Sequence, residues 1–218
     1  PDGSRIVYVR RGFDIMTDGR RTALWMIGSD GTDHRALTDA TSTVGSPRWS
    51  PDGSRLLYVS SEDGSSQVFV RWMDSGQTAE LTNVTESPGS ITWSPDGDWI
   101  AMTMFVPESS PTFAKMPPKP DGAEWTTPPI VINKLRYRSD GRGYLDDGYT
   151  HIFVLPAEGG TPRQITSGSY NHGGGLSWSP DSRSIVFSAN RGDADFDVRD
   201  SEVFEISVAT GELTQLTD

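Results

Sequence analysis

Residues 49–59 read Trp-Ser-Pro-Asp-Gly-Ser-Arg-Leu-Leu-Tyr-Val, and this stretch decides the fold because its turn recurs along the chain. The four copies of the turn begin at Pro1, Pro51, Pro95 and Pro180, and the last has serine in place of glycine. Proline presets φ for a tight turn, aspartate accepts backbone hydrogen bonds, and glycine adopts a positive φ without strain. Because a short apolar run follows each copy, the stretch predicts a hairpin between two strands.

A second hairpin follows each turn, and each unit then ends in an aliphatic residue and a threonine. These closing pairs are Leu37-Thr38, Leu81-Thr82, Ile165-Thr166 and Leu216-Thr217. Units of four short strands that recur about every 40 to 50 residues are typical of β-propeller blades. A β-sandwich with chance turns would not keep the copies in phase. We therefore predict an all-β chain that forms a propeller arc of about four blades, an incomplete ring.

The predicted blades span about 1–43, 44–87, 88–170 and 171–218, and the third contains an insertion at 107–148. On this phasing the first blade lacks its innermost strand, because the chain begins at the turn. An incomplete ring exposes apolar blade faces and an open strand edge. We therefore predict self-association through these open faces.

Composition excludes several classes of protein. The chain has 218 residues, 19 basic and 30 acidic side chains, a formal net charge of −11 and no cysteine. Disulfides, thiolate metal sites and cysteine nucleophiles are therefore excluded. A net negative surface repels phosphate, so we predict no nucleic-acid partner. Since no apolar run approaches the ~20 residues that span a bilayer, we predict no membrane partner either.

The insertion opens with a proline-rich stretch and continues into Pro129–Arg138, whose alternation predicts a strand. Long loops in a compact repeat tend to carry function, although an excursion on the rim without any role is the alternative. The residues 134–145, Lys-Leu-Arg-Tyr-Arg-Ser-Asp-Gly-Arg-Gly-Tyr-Leu, are its most distinctive part. A second distinctive stretch is Ser188-Ala189-Asn190-Arg191, followed by an acidic loop that ends at Asp200.

These features resemble known propellers. The Ser-Pro-Asp-Gly blades are similar to those of TolB-type periplasmic propellers and of the prolyl oligopeptidase family. The insertion and the Ser-Ala-Asn-Arg loop resemble the acylaminoacyl-peptidase branch of that family, and the resemblance covers nearly the whole chain. In that family an N-terminal propeller, usually seven-bladed, caps a C-terminal α/β-hydrolase domain with a Ser-Asp-His triad.

The resemblance implies that the chain is the non-catalytic, substrate-gating cap of a serine peptidase that cleaves short or N-acylated peptides. Its implied partners are the hydrolase domain and short peptides, and the implied location is the cytoplasm, with the periplasm as the alternative. The alternative function is a TolB-type scaffold for protein–protein contacts. A third reading, a propeller glycosidase or lactonase, has no supporting motif.

The sequence itself offers no catalytic centre. It lacks the Gly-x-Ser-x-Gly of a nucleophile elbow. His172 and the three glycines after it resemble the oxyanion motif of some lipases, but no nucleophile accompanies them, and we predict a flexible linker between blades. The alternating acids at Asp193, Asp195 and Asp197 suggest a calcium loop, but the glycine and glutamate that such a loop needs are missing. We predict no catalytic residue, no metal and no cofactor in this chain.

The residues proposed to face a substrate or the hydrolase domain are Arg136, Arg138, Asp140 and Tyr144. Arginine pairs with carboxylates through two parallel hydrogen bonds, so a peptide carboxylate or an acid on the other domain is the expected partner. The alternative is a salt-bridged hairpin that packs on the blade rim. The tryptophans before the turns occupy equivalent blade positions, and we interpret them as packing residues rather than a stacking platform.

Overall fold

The computed structural model describes residues 2–40, 43–61, 65–108, 117–126, 130–132, 134–192 and 200–217. Within these residues the regular secondary structure is β-strand, and they include no helix that is long and apolar enough to cross a membrane. The strands form four antiparallel sheets in chain order and one small extra hairpin. The predicted all-β fold, a partial β-propeller, is therefore confirmed.

Each sheet consists of strands that follow one another along the chain, and the insertion interrupts only the third. The first sheet contains β1 (Arg5–Asp14), β2 (Gly19–Gly28) and β3 (Arg35–Ala36). The second contains β4 (Thr43–Trp49), β5 (Arg55–Ser61), β6 (Gln67–Trp72) and β7 (Thr78–Glu80). The third begins with β8 (Gly89–Trp93) and β9 (Trp99–Pro107), is interrupted by the hairpin of β10 (Arg138–Ser139) and β11 (Gly143–Tyr144), and ends with β12 (Gly148–Pro156) and β13 (Arg163–Gln164). The fourth contains β14 (Ser177–Trp178), β15 (Ser184–Ala189), β16 (Glu202–Ser207) and β17 (Leu213–Gln215).

Side-chain hydrogen bonds hold the turn between the first two strands of the second sheet. The Asp52 carboxylate accepts hydrogen bonds from Ser50 Oγ and Ser54 Oγ, both at 2.5 Å. These bonds lower the pKa of Asp52 to about 2, and the bond from Ser50 has the largest effect. In the fourth copy of the turn, Ser182 adopts a φ of 60° and its Oγ accepts a hydrogen bond from Asp96 N at 3.1 Å. The serine that replaces glycine therefore joins the third and fourth sheets.

Neighbouring sheets contact each other through an arginine and a tryptophan at repeated positions. The Arg5 guanidinium lies 4.7 Å from the ring centre of Trp49, and the Arg55 guanidinium lies 4.8 Å from that of Trp93. Arg5 also donates a hydrogen bond to the carbonyl oxygen of Gly53 at 3.1 Å. These tryptophans therefore pack between sheets, in agreement with their interpretation from the sequence.

Apolar side chains fill the space between successive sheets. One buried cluster joins the first sheet to the second, another joins the second to the third, and another joins the third to the fourth. Fully buried members of these clusters are Leu24, Leu56, Leu57, Ile91, Ile152 and Ile185. At roughly 25 cal/mol per Å² of apolar surface removed from water, this burial is the main force that holds the sheets in sequence.

Two predicted elements differ from the structure. The first hairpin is longer than its apolar runs indicate, and its tip exposes Ile15 and Met16 by 95% and 87%. The predicted strand at 129–138 is wrong at Ile130, Val131 and Ile132, which form no strand and are more than half exposed, whereas its last residue, Arg138, lies in β10. A strand needs a partner for its backbone groups, and β11 supplies one for β10.

The sheets have two distinct ends. The turn face carries the Pro-Asp-Gly turns, and the loop face is the end at which β1, β5, β9 and β15 finish. The insertion leaves and rejoins the third sheet at the loop face, where Glu108 N donates a hydrogen bond to Asp147 O at 2.9 Å. The longest connection of the chain therefore begins and ends at the loop face.

Candidate functional site

A cavity of about 370 Å³ opens on the loop face between the third and fourth sheets. Arg136 comes from the insertion and Tyr149 from the start of β12, whereas Tyr170 and Asn171 belong to the segment that links the two sheets. Asn190 follows the end of β15 and completes the polar wall. The cavity thus brings together the insertion and the Ser-Ala-Asn-Arg loop, the two stretches that the sequence marks as distinctive.

The linking segment can approach both sheets because it contains glycine. A Cβ atom on Gly174 would lie 2.0 Å from Ser188 Oγ and 2.7 Å from the Ser188 carbonyl oxygen, so only glycine fits there. On the other side, Thr150 N donates a hydrogen bond to Asn171 Oδ1 at 2.9 Å, and His172 N donates one to Thr150 O at 2.8 Å. These bonds fix the linking segment against the start of β12.

His172 is fully buried between the two sheets, so the predicted flexible linker is wrong at this position. Its ring stacks on His151 with centres 5.2 Å apart, and its Nε2 accepts a hydrogen bond from Arg191 Nη1 at 3.0 Å. Because arginine only donates, this bond assigns the ring hydrogen to Nδ1, which has no partner among the described residues. Burial, followed by the charges of His151 and Arg191, lowers the pKa of His172 to about 4, so the ring is neutral at pH 7.

One arginine lines the cavity and a second packs on one of its tyrosines. Arg191 is half-buried, and its guanidinium lies 4.6 Å from the ring centre of Tyr170. Arg136 is exposed and makes no ion pair with any described residue. No aspartate or glutamate lines the cavity within the described ranges. In a chain of net charge −11, this arrangement favours a carboxylate or a carbonyl-rich ligand.

Both buried histidines form hydrogen bonds to residues other than serine. His172 Nε2 is occupied by Arg191, and His151 Nδ1 lies 3.2 Å from Thr166 Oγ1, both away from any serine hydroxyl. Over the described ranges no serine forms a hydrogen bond with a histidine, which a serine nucleophile and its base would require. A cluster of three or more metal-ligating side chains is also absent from these ranges, and the acids at 193, 195 and 197 lie outside them.

The structure separates the four residues that the sequence proposes for this site. Arg136 lines the cavity, whereas Arg138 and Tyr144 pair with each other in the β10–β11 hairpin and Asp140 lies in its turn. All four are exposed. A salt bridge of 3.0 Å between Lys134 Nζ and Asp147 closes the base of this part of the insertion. Whether any of the four contacts a substrate stays a prediction.

Sequence reasoning missed the buried part of the site. His172 and Arg191 meet within the fourth blade while the His172 ring stacks on His151 of the third sheet, and no local pattern predicts contacts between residues so far apart in sequence. The glycines after His172 were the available signal, because a close approach of two backbones, such as that of Gly174 to Ser188, requires the absence of a side chain.

Comparison with known proteins places the chain in a family. The model of the TolB beta propeller domain matches residues 3–113, about half of the chain. The chain belongs to this family. The model of the dipeptidyl peptidase IV N-terminal region matches residues 126–218, which include the cavity residues and the whole β10–β11 hairpin. The predicted relation to the propellers of the prolyl oligopeptidase family is therefore confirmed.

Three relatives illustrate the likeness. The uncharacterized peptidase YuxL of Bacillus subtilis is 28% identical over 196 residues, which cover 89% of this chain and 29% of that protein. TolB of Roseobacter denitrificans is 42% identical over 67 residues, 31% of this chain and 15% of that protein. The solved acylaminoacyl peptidase of Pyrococcus horikoshii superposes with a TM-score of 0.72 and 17% identity over 99% of this chain and 31% of that one. The chain thus spans less than a third of the curated relatives' length.

Proposed function

We propose that this chain is the substrate-gating cap of an acylaminoacyl-type serine peptidase. The observation that carries the proposal is the cavity on the loop face, where Arg136 has no described ion-pair partner and the chain's longest insertion forms one wall. Similarity to a peptidase over most of the chain supports it, as does the shared fold with an acylaminoacyl peptidase. The chain binds and admits substrates, and an α/β-hydrolase domain cleaves them.

In this proposal the hydrolase domain docks on the loop face. The propeller then admits short or N-acylated peptides, excludes folded proteins by size and shields the reaction from bulk water. The tyrosines and asparagines of the cavity offer hydrogen bonds to an extended peptide backbone, and Arg136 attracts a carboxylate. Location in the cytoplasm accompanies this proposal.

The test uses the full-length protein that contains this chain and an N-acylated peptide substrate. The variant Arg136→Gln is expected to raise KM several-fold with little change in kcat, because it removes binding that is equal in ground and transition states. Arg142→Gln is the matched control, since Arg142 is an exposed arginine of the same insertion that does not line the cavity. Turnover by the isolated chain, measured by mass spectrometry, contradicts the cap role.

A TolB-type scaffold that binds other proteins is the second candidate. The family match and the short stretch of high identity with a TolB protein favour it, and a periplasmic location accompanies it. The two candidates differ in the reading frame that encodes the chain. A Gly-x-Ser-x-Gly motif downstream of Asp218 supports the peptidase, whereas a frame that stops after the last blade supports the scaffold.

A further inference from the structure

A second, smaller groove of about 240 Å³ opens on the loop face between the first two sheets. The arm formed by β1 and β2 contributes Arg11 and Arg20, and the opposite wall contains Ser46 of β4 and Ser66 before β6. Its apolar floor includes Val59. No acidic residue lines the groove in the described part of the chain.

The register of the arm puts both arginines on one face. Arg11 pairs with Thr22, and Arg20 lies two residues before Thr22 on the same strand, so the three side chains point the same way. Thr22 Oγ1 donates a hydrogen bond to Val44 O at 2.8 Å and accepts one from Val44 N at 2.6 Å, which turns this face towards β4. Both guanidinium groups therefore reach the groove.

The ion pair of the arm lies on its other face. Arg21 pairs with Asp14, and both alternate with Arg11 and Arg20 along the strands. Neither Arg11 nor Arg20 makes an ion pair with a described residue. Two arginines on one face of the arm, without an ion pair to a described residue, give the groove a local positive charge that attracts an anion, although the chain as a whole has a net charge of −11.

The wall opposite the arginines contributes serine side chains to the groove. Ser46 has a φ of 54°, a left-handed conformation that non-glycine residues adopt at a cost, and its side chain is exposed beside the arginines. The equivalent residue before Trp93 in the third sheet is Ser90, which has a φ of 47°, so this conformation belongs to the bulge of the inner strand. A hydroxyl at this point adds a neutral donor to the two cationic ones.

We propose that this groove binds a peptide carboxylate, held between the Arg11 and Arg20 guanidinium groups. Two forked donors match a planar carboxylate, and the apolar floor, with Phe13 exposed on the same face of the arm, accommodates an adjoining apolar side chain. The choice of a peptide over another carboxylate rests on the proposed function, whereas the anion site itself rests on the groove. The carboxylate belongs either to a peptide C-terminus or to an acidic side chain.

The experiment is an NMR titration of the isotope-labelled chain with three peptides. The first is acetyl-dialanyl-leucine with a free C-terminus, the second is the same peptide as an amide, and the third is an amidated peptide with a central glutamate. We expect the first to bind with a dissociation constant of about 1 mM or below and the amide to bind more than about tenfold more weakly. Binding of the third as tight as the first identifies side-chain carboxylates as ligands too.

Two double variants test the location. The double variant Arg11→Gln/Arg20→Gln is expected to weaken binding of the free-acid peptide more than about tenfold. The control Arg10→Gln/Arg21→Gln removes the same charge from the opposite face of the same strands. It is expected to leave the dissociation constant within about threefold of that of the natural chain. Equal binding of acid and amide, no binding of either, or equal losses in both variants overturns the proposal. This experiment measures binding and not hydrolysis, so its outcome is independent of the Arg136→Gln kinetics. Either proposal can be contradicted while the other is supported.

Discussion

Arg55 connects the second and third sheets through three contacts at once. Its guanidinium lies over Trp93, pairs with Glu158 at 3.0 Å and donates a hydrogen bond to Gly97 O at 3.4 Å. Its side chain is only 16% exposed. We predict that Arg55→Met, which keeps the aliphatic stem, lowers the free energy of unfolding by about 1–2 kcal/mol. Urea denaturation followed by far-UV circular dichroism measures the change.

Arg183 is the control, because it is an arginine of the turn in the fourth sheet and lies one position before Ser184, the residue that corresponds to Arg55. Its side chain is 86% exposed, and its one ion pair, with Asp181, is long at 3.9 Å. Arg183→Met is expected to change the free energy of unfolding by less than about 0.5 kcal/mol. A loss as large as that of Arg55→Met would show that the turn, not the contact with the next sheet, determines the effect.

The buried His172 makes stability depend on pH. Its pKa is about 4 in the folded chain and near 6.5 when unfolded, so the unfolded state binds more protons between these values. The free energy of unfolding is therefore expected to fall as pH decreases from about 6.5 to about 4, by at most about 3 kcal/mol. Burial also lowers the pKa of His151, which adds a loss of the same sign.

The variant His172→Gln removes one titrating group and keeps an oxygen that accepts from Arg191. Urea titrations across this pH range are expected to show a shallower fall for the variant than for the natural chain. The turn aspartates lose their stabilising hydrogen bonds only as pH drops from about 4 towards 2, where the pKa of Asp52 lies. Identical slopes above pH 4 would mean that His172 is not the titrating group.

At the scale of elements, sequence reasoning succeeded where structure is local. The Pro-Asp-Gly turn determines its own backbone conformation, so the strands on either side of Asp52 and Asp96 could be placed from the local sequence alone. The segment at 130–132 has strand-forming residues but no neighbour to pair with, and pairing depends on residues distant in sequence. The same reason explains why Arg136 was a candidate and His172 was not, since burial of His172 arises only when two sheets meet.

The insertion depends on Gly148, where it rejoins the third sheet. Gly148 has a φ of 144°, and a Cβ there would lie 2.3 Å from the Val106 carbonyl oxygen and 2.8 Å from Pro107 Cα. We predict that Gly148→Ala lowers the free energy of unfolding by about 2 kcal/mol or more, because backbone atoms cannot move aside cheaply. Limited proteolysis is expected to cleave the insertion faster in the variant.

Gly175→Ala is the control for this substitution. No heavy atom lies within 4 Å of a Cβ at Gly175, and its φ is not in the left-handed region. The control should match the natural chain in both stability and cleavage. Equal sensitivity of the two variants would indicate that loss of glycine flexibility, not a clash at the base of the insertion, is responsible.

At the scale of the whole molecule, the first sheet presents an open edge. In the other sheets the second residue of the strand after the turn pairs with the tryptophan of the inner strand, and these residues, Leu56, Ile100 and Ile185, are fully buried. The first sheet has three strands with β1 at its edge, and the equivalent Ile6 is 53% exposed. An open edge beside an apolar side chain is a template for another strand, which is the physical basis of the predicted self-association.

We predict that the isolated chain forms dimers or larger species whose fraction rises with concentration, and that Ile6→Lys shifts it towards monomer. Lysine on an edge strand opposes strand pairing, although it also reduces the net charge of −11 and hence the general repulsion between copies. Leu135→Lys makes the same charge change at another exposed apolar residue, which is 66% exposed in the insertion, and is expected to leave association unchanged. Static light scattering across a wide concentration range decides: a constant monomer mass for the natural chain contradicts self-association, and equal shifts in both variants contradict the role of the β1 edge.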